Sequence, residues 1–213
     1  MTYVAVTTLN EARTIAALIR TCRAQGWAVI VADAASTDGT AAIARRAGAT
    51  VLDVGRCPIG PALMAAWHVA LDAGAERVLQ MDAGGSHDPL DGRRLLASHG
   101  DLVIGSRFVP GARYFGRPWR RVGSRAAGVA CMLRTGVPLH DWTSGFRAFT
   151  PEALQVALAG GYRAMMHGWQ IEVLVRVLRV GLTVYEVPIQ YRAGRSSFGW
   201  REVREACRVW AAL

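Results

Sequence analysis

The sequence contains no lysine: all 25 basic residues among its 213 are arginine. That excludes Schiff-base chemistry, lysine-dependent phosphate loops and kinase-type lysine clamps, because each needs an amine. Cysteine is scarce and scattered. Cys22, Cys57, Cys131 and Cys207 form no Cys-x-x-Cys pair and no Cys/His cluster at zinc spacing, which suits a reduced, cytoplasmic protein. Long apolar runs are missing too. No stretch approaches the ~18 residues that span a bilayer, and the most apolar late segment, Val173 to Tyr191, is broken by Arg176, Arg179 and Glu186. The start, MTYVAVTTLNEA, has no basic stretch leading into an apolar one, so no secretory leader is expected. No G-x-G-x-x-G follows a strand-like run, which argues against a dinucleotide-binding Rossmann site.

What is present is a globular composition, 52% hydrophobic and 19% charged, in a length that suits one domain. The net charge of +9 is unevenly placed. Residues 1–106 hold 9 arginines and 10 acidic residues; residues 107–213 hold 16 arginines and 6 acidic residues. A basic half faces an anion such as a membrane surface or a phosphorylated substrate, or it is a solvated arginine-rich face. Nucleic acid is disfavoured as the partner: there is no zinc-finger spacing, no aromatic RNA-binding strand, and no dense basic run beyond Arg117 to Arg121.

The apolar pattern alternates between strand and helix. Strands are expected at Tyr3–Thr8, Trp27–Asp33, Thr50–Val54, Arg77–Asp82 and Asp101–Ser106. Helices are expected between them at 11–25, 38–47, 61–73 and 90–99. That order implies an α/β three-layer sandwich around a mostly parallel sheet. Beyond Arg107 the pattern predicts a Gly/Pro/aromatic loop over 108–118, a helix over 120–133, a strand over 143–150 and a helix from Pro151. A further helix over 169–180, a strand over 183–191 and an amphipathic tail over 201–213 follow.

Ligands of open α/β sheets sit beyond the carboxyl ends of the strands. Three loops occupy that position: Thr7 to Glu11, Asp33 to Thr40, and Asp82 to Pro89. Their Asp, Ser and Thr residues suit a nucleoside, whose N–H and ribose hydroxyl groups need acceptors. The second loop has another reading, in which Asp38 or Ser36 caps the following helix.

The ordered set Thr8-Leu9-Asn10-Glu11, Asp33 through Ser36, Asp38, Gly39 and Thr40, then Gln80-Met81-Asp82-Ala83, resembles the nucleotide-sugar half of family 2 glycosyltransferases of the GT-A fold. The second half narrows the likeness. The run from Asp101 to Arg107, Ser124-Arg125, the segment Asp141-Trp142-Thr143-Ser144-Gly145-Phe146-Arg147, Gln170-Ile171-Glu172 and Glu186-Val187-Pro188-Ile189 resemble the polyprenyl-phosphate (dolichol-phosphate) sugar transferases. The resemblance implies one GT-A domain, a Rossmann-like three-layer sandwich. Residues 1–106 would form the nucleotide-sugar half and 107–213 the acceptor half. It also implies hexose transfer, with inversion, from a nucleotide-diphosphate sugar to a polyprenyl phosphate, peripheral on the cytoplasmic face of the membrane.

By that resemblance Asp82, Arg107, Arg125 and Asp141 are the catalytic candidates. Donor binding falls to Thr8, Asn10, Glu11, Asp33, Ser36, Asp38, Asp82, Ala83 and Arg195. Acceptor binding falls to Arg107, Arg125 and Ser144. A divalent cation, Mg²⁺ or Mn²⁺, would rest on Asp82. The family's usual Asp-x-Asp reads Asp82-Ala83-Gly84 here, which removes one carboxylate ligand. His87 or Asp88 could reach in instead, or arginines could replace the cation's charge.

An acceptor phosphate monoester, with a second pKa of ~6, is already ionised near neutrality and needs no general base. Two other readings stay open. One is transfer to a hydroxyl, with Asp141 or Glu172 as base; the other is a non-catalytic nucleotide-sugar module. Arg147 and Glu172 also have structural readings as ion-pair members, Glu172 with Arg176. His140 and His167 read as structural, and Met165, Met166, Trp169 and Trp200 as packing. Trp119 with Arg117, Arg120 and Arg121, and Trp210 with its neighbouring arginines, suit either an anionic membrane surface or ordinary packing of the tail. A membrane partner protein would serve the same purpose.

Overall fold

Near-continuous apolar runs along the strands call for a sheet covered on both faces. The computed structural model describes residues 1–166, 168–194 and 208–211 and shows that arrangement. The strands are β1 (Thr2–Thr8), β2 (Ala28–Asp33), β3 (Thr50–Asp53), β4 (Arg77–Asp82), β5 (Leu102–Ser106), β6 (Arg113–Phe115), β7 (Arg147–Phe149), β8 (Val184–Pro188) and β9 (Gln190–Arg192). The helices are α1 (Ile15–Ala24), α2 (Thr40–Arg46), α3 (Ile59–Asp72), α4 (Gly92–Ala97), α5 (Pro118–Thr135), α6 (Pro151–Leu158) and α7 (Trp169–Arg179).

Seven strands form the main sheet in the order β3-β2-β1-β4-β7-β5-β8. Ala5, Ile30, Ala32, Val78, Leu102 and Ile104 point to one face, where α3, α6 and α7 cover them with Trp67, Leu154 and Trp169. Val4, Val6, Val29, Val31, Leu79 and Val103 point to the other, under Ile15 and Ile19 of α1, Ala44 of α2 and Leu95 of α4. Each fully buried large aliphatic side chain contributes about 1.5–3 kcal/mol relative to exposure.

Register fixes what stands at the functional edge. Thr8 pairs with Asp33 and Thr7 with Asp82, so the first, second and fourth strands end level with one another. Four expectations need correction. The first helix begins at Ile15 and not at Glu11, because the residues between form a turn tied to the second loop. The strand expected over 143–150 is only β7; it runs antiparallel between β4 and β5, so those two parallel strands do not touch. The stretch read as a loop over 108–118 contains β6, and the late strand breaks at Ile189 into β8 and β9. The β6 and β9 strands make a separate parallel ribbon.

Helix α5 rests on the body through Gly128 and Cys131, its only buried residues. A Cβ on Gly128 would lie 2.7 Å from the carbonyl oxygen of His140. Gly128→Val should therefore lower the unfolding free energy by about 1–3 kcal/mol, the usual cost of overpacking. Urea denaturation checks this, and a variant as stable as the parent would contradict the close approach. Among the described residues no helix is long and apolar enough to cross a membrane.

Candidate active site

The loops after β1 and β2 are laced together by their own polar groups. Thr8 Oγ1 donates to Asp33 Oδ1 at 2.7 Å, and Ser36 donates to the same carboxylate through its hydroxyl (2.6 Å) and its backbone N–H (3.0 Å). The backbone N–H of Asn10 donates to Ser36 Oγ, and Asn10 Oδ1 accepts from the N–H of Thr37. Asp38 accepts from the N–H groups of Ala12 and Thr40 and from the Thr40 hydroxyl, and the last bond is the main cause of a carboxyl held below its ordinary range. The capping reading of Asp38 is thus half right. It fixes the first residue of α2, while Gly39 itself, at φ 85°, takes the left-handed turn.

Asn10 and Ala35 also hold positive φ, 58° and 59°. That is a strained conformation for a residue with a Cβ, and here it sits on the loops that form the site. The donor-binding expectations sort accordingly. Thr8 and Asp33 are buried and brace the two loops, and the methyl of Ala83 is buried in the core. Asn10, Glu11, Ser36 and Asp38 lie along the rim. Arg195 lies outside the described residues, as do His167 and Trp200.

Asp82 ends β4 with its side chain 45% exposed. Beneath it His87 is buried, stacked on Phe146 with ring centroids 4.8 Å apart, and tilted against Tyr191. The N–H of Asp82 donates to His87 Nδ1 at 3.2 Å. A ring nitrogen that accepts carries no proton, and burial lowers the His87 pKa, so this imidazole is neutral with its proton on Nε2. His87, which the sequence offered as a metal ligand, instead has Nδ1 occupied by the Asp82 N–H and its ring buried against Phe146. Asp88 is also engaged, accepting from the N–H of Leu90 at the start of a 3₁₀ turn.

Arg107, just beyond β5, is clamped by Asp141. Nε donates to Oδ2 at 2.7 Å and Nη2 to Oδ1 at 2.6 Å, while the Arg107 backbone N–H donates to Oδ2 at 2.9 Å. Nη2 also donates to Thr143 Oγ1, and the guanidinium lies 5.3 Å from the ring centroids of both Phe108 and Tyr191. Tyr114 stacks on Tyr191, so the β6–β9 ribbon forms the wall behind this arginine. Burial alone would lower the Arg107 pKa and raise that of Asp141. Their mutual attraction and hydrogen bonds reverse both directions, and the pair stays charged. Asp141 is fully buried, and both its oxygens are taken up by Arg107. Its own backbone N–H, with that of His140, donates to Glu186.

The rest of the Asp141–Arg147 segment forms the floor. Ser144, expected at the acceptor, is buried and its Oγ donates to the carbonyl of Gly105 at 2.7 Å. Arg147 is buried and donates to the carbonyls of Ser144, Gln170 and Trp142, so its structural role rests on carbonyl groups and not on an ion pair. Glu172 accepts from the backbone N–H groups of Arg163 and Ala164. Arg176 instead donates to the carbonyls of Gly160 and Gly161 and lies over Tyr162, so the expected Glu172–Arg176 pair does not form. Arg125 is exposed on α5, and among the described residues nothing pairs with it or joins it to the Arg107–Asp141 clamp. An apolar cavity of about 410 Å³ lies elsewhere, between α3 and Trp169, and shares no lining residue with this polar cluster.

A family model described as glycosyl transferase family 2 matches residues 3–156. The chain belongs to that family. It is a glycosyltransferase, and its sheet is that of the GT-A enzymes. It is 33% identical over 192 residues to the polyprenol monophosphomannose synthase of Mycolicibacterium smegmatis, covering 84% of this chain and 72% of that one. It is likewise 33% identical over 172 residues to the undecaprenyl-phosphate mannosyltransferase of Micrococcus luteus, covering 76% and 71%. In fold it is similar to glucosyl-3-phosphoglycerate synthase from Mycobacterium tuberculosis in complex with UDP, with a TM-score of 0.73 and 24% identity over 100% of this chain and 79% of that one. The same synthase has been solved with Mn²⁺ and UDP-glucose, with a TM-score of 0.70 and 23% identity over 99% and 77% of the two chains.

Whether this glycosyltransferase's residues suit such a cation is decided around Gly84. Among the described residues no three His, Cys, Asp or Glu side chains gather to hold a metal. Asp82 nevertheless offers an exposed carboxylate. A Cβ built on Gly84 would lie 3.2 Å from Glu11 Oε1, so a second carboxylate fills the space beside that glycine. One or two carboxylates completed by substrate phosphates and water form a normal environment for Mg²⁺, and the all-oxygen donors also suit Mn²⁺. The residues fit a cation that shares its ligands with a diphosphate.

Proposed function

We propose that this enzyme moves a hexose from a nucleotide-diphosphate sugar to a polyprenyl phosphate, with inversion at the anomeric carbon, at the cytoplasmic face of a membrane. The observation that carries the reading is the state of its carboxylates. Asp141 is buried against Arg107 and Glu172 is engaged by two backbone N–H groups, so neither candidate base is available to take a proton from a hydroxyl. A phosphate acceptor needs no base, since its second pKa is ~6. Its oxygen attacks C1 in line, the C1–O bond to the diphosphate breaks, and the diphosphate leaves with the electron pair.

The protein's work is then positioning and charge. Asp82 faces the diphosphate end of the donor, and Asn10, Glu11, Ser36 and Asp38 border the nucleoside. Arg107, held flat by Asp141, directs its remaining N–H groups to the acceptor phosphate, and Arg125 offers a second guanidinium. A divalent cation on the diphosphate, held from the protein side at Asp82, would neutralise charge that builds on the leaving group.

The exposed face of α5 supports an approach to the lipid. Trp119, Val122, Ala126, Val129 and Leu133 recur at spacings of three and four and are all exposed, opposite the buried Gly128. The helix carries four arginines and no acidic residue. Trp210 donates to the carbonyl of Ala130 and extends this apolar stripe, while Val209 beside it is buried in the core. An arginine-flanked apolar stripe suits an anionic bilayer surface. Leu133, 79% exposed, can be altered without touching the core. Leu133→Glu should cut sedimentation with anionic vesicles at low salt about tenfold, from lost apolar burial and added repulsion. Equal binding to neutral vesicles, or none by the parent protein, would contradict the docking.

The reading itself is tested by incubating the protein with a panel of nucleotide sugars and polyprenyl phosphate and identifying lipid-linked sugar by mass spectrometry. A hexosyl-phosphoryl-polyprenol is expected. Nucleotide binding with no lipid product under Mg²⁺, Mn²⁺ or chelator would overturn it in favour of a binding module.

A further inference from the structure

Five acidic residues stand on the three loops that border the donor: Glu11, Asp33, Asp38, Asp82 and Asp88. Two are engaged through both oxygens: Asp33 is buried and accepts from Thr8 and Ser36, and Asp38 joins Ala12 to Thr40. Asp88 is exposed and caps the turn at Leu90 through Oδ1. Asp82 is half-exposed. Glu11 uses Oε2 to accept from the Thr14 hydroxyl at 3.1 Å. Its Oε1 faces Gly84, 3.2 Å from the place where a side chain at that position would begin. Gly84 has no positive φ, so its backbone does not require glycine, and the tight contact there is with the end of a flexible side chain.

We propose that Glu11, reaching across from the loop after β1, supplies toward a diphosphate-bound cation the second carboxylate that position 84 lacks. This rests on the donor reading above and adds a residue to it. With two carboxylates from separate loops and no third His, Cys, Asp or Glu gathered there among the described residues, the site is completed by the donor's phosphate oxygens and water. The cation therefore binds with the nucleotide and not before it, and Glu11 is a cation-binding residue, not only a neighbour of the nucleoside.

Titration calorimetry with UDP and GDP, each in Mn²⁺ and in EDTA, tests this alongside the electron paramagnetic resonance signal of bound Mn²⁺. The parent protein should bind its preferred diphosphate at least tenfold more tightly with Mn²⁺ than with EDTA. It should immobilise Mn²⁺ only when the nucleotide is present. Glu11→Gln keeps an acceptor for Thr14; it should erase most of the Mn²⁺ gain, read as the ratio of affinity in Mn²⁺ to affinity in EDTA. Adding Gly84→Asp to Glu11→Gln should restore the gain. Three results would overturn the proposal: equal weakening by Glu11→Gln in Mn²⁺ and EDTA, an undiminished Mn²⁺ gain in Glu11→Gln, or no rescue by Gly84→Asp in a variant that keeps the parent circular dichroism. A parent protein that binds neither diphosphate under any condition would instead remove the nucleotide-sugar reading itself.

Discussion

Asp141→Asn should lower the unfolding free energy by about 3–5 kcal/mol and reduce turnover by at least about 10²-fold, the largest combined effect of any single change described for this enzyme. The substitution keeps the shape but leaves the Arg107 guanidinium buried with no countercharge. Removing one member of a buried pair costs far more than the pair contributes, because the partner's desolvation is no longer offset. Asparagine also offers a single oxygen where Arg107 has three N–H contacts, so the guanidinium loses the plane in which Nε and Nη2 are held. The pH dependence follows from the depressed carboxyl of Asp141. A group whose folded pKa lies below its unfolded value, ~3.9 for aspartate, contributes stability above that value and loses it as pH falls through the folded pKa. The gap between parent and variant should be widest above about pH 5 and close in acid. Chemical denaturation between pH 7 and pH 2 measures it. A difference under about 1 kcal/mol at pH 7, or one that stays constant into acid, would contradict the role of the clamp.

The second large effect lies at Asp82. Asp82→Asn removes a half-exposed charge that no arginine among the described residues pairs with; the neutral His87 lies 3.7 Å away. Stability should therefore change by no more than about 0.5 kcal/mol, while kcat/KM falls by about 10²–10³, as when a preorganised electrostatic contact is lost. Matched melting curves with collapsed turnover are the expected result. Activity within threefold of the parent would place the donor's diphosphate elsewhere.

Much of this was legible in the sequence because it is local. Strand–helix alternation marked β1 to β5 within a residue or two, and the strand-end rule picked out the loops carrying Asp33 and Asp82. What the sequence concealed is non-local. That β7 would run antiparallel between β4 and β5 depends on the turn from Asp141 to Phe146, which is shaped by Arg107 and Gly105 from far along the chain. Ile189 looked like the interior of one strand; it is buried where β8 ends, and the chain then leaves the main sheet to pair with β6.

The same limit applies to the site. Arg107 and Asp141 were both marked, but their bidentate contact could not be read across 34 residues. His87 and Tyr191 were missed as supporting groups because a lone histidine and a strand tyrosine carry no pattern. Only the fold stacks His87 on Phe146 and places Tyr191 beneath Arg107. Thr8, Ser36 and Ser144 carried the residue types of ligand groups, yet the fold uses their hydroxyls to fix its own loops. Short polar side chains at strand ends serve both purposes, and composition cannot tell them apart.

On the proposed mechanism the acceptor arrives already charged, and the protein contributes arginines and geometry in place of a base. Comparing polyprenyl phosphate with polyprenol of the same chain length, while following the acceptor kcat/KM from pH 5 to pH 8, separates this from base catalysis. Product is expected from the phosphate alone, with kcat/KM rising through the phosphate's second pKa of ~6 and then levelling off. Transfer to the alcohol, at a rate comparable to the phosphate or governed by a protein carboxylate, would contradict the mechanism.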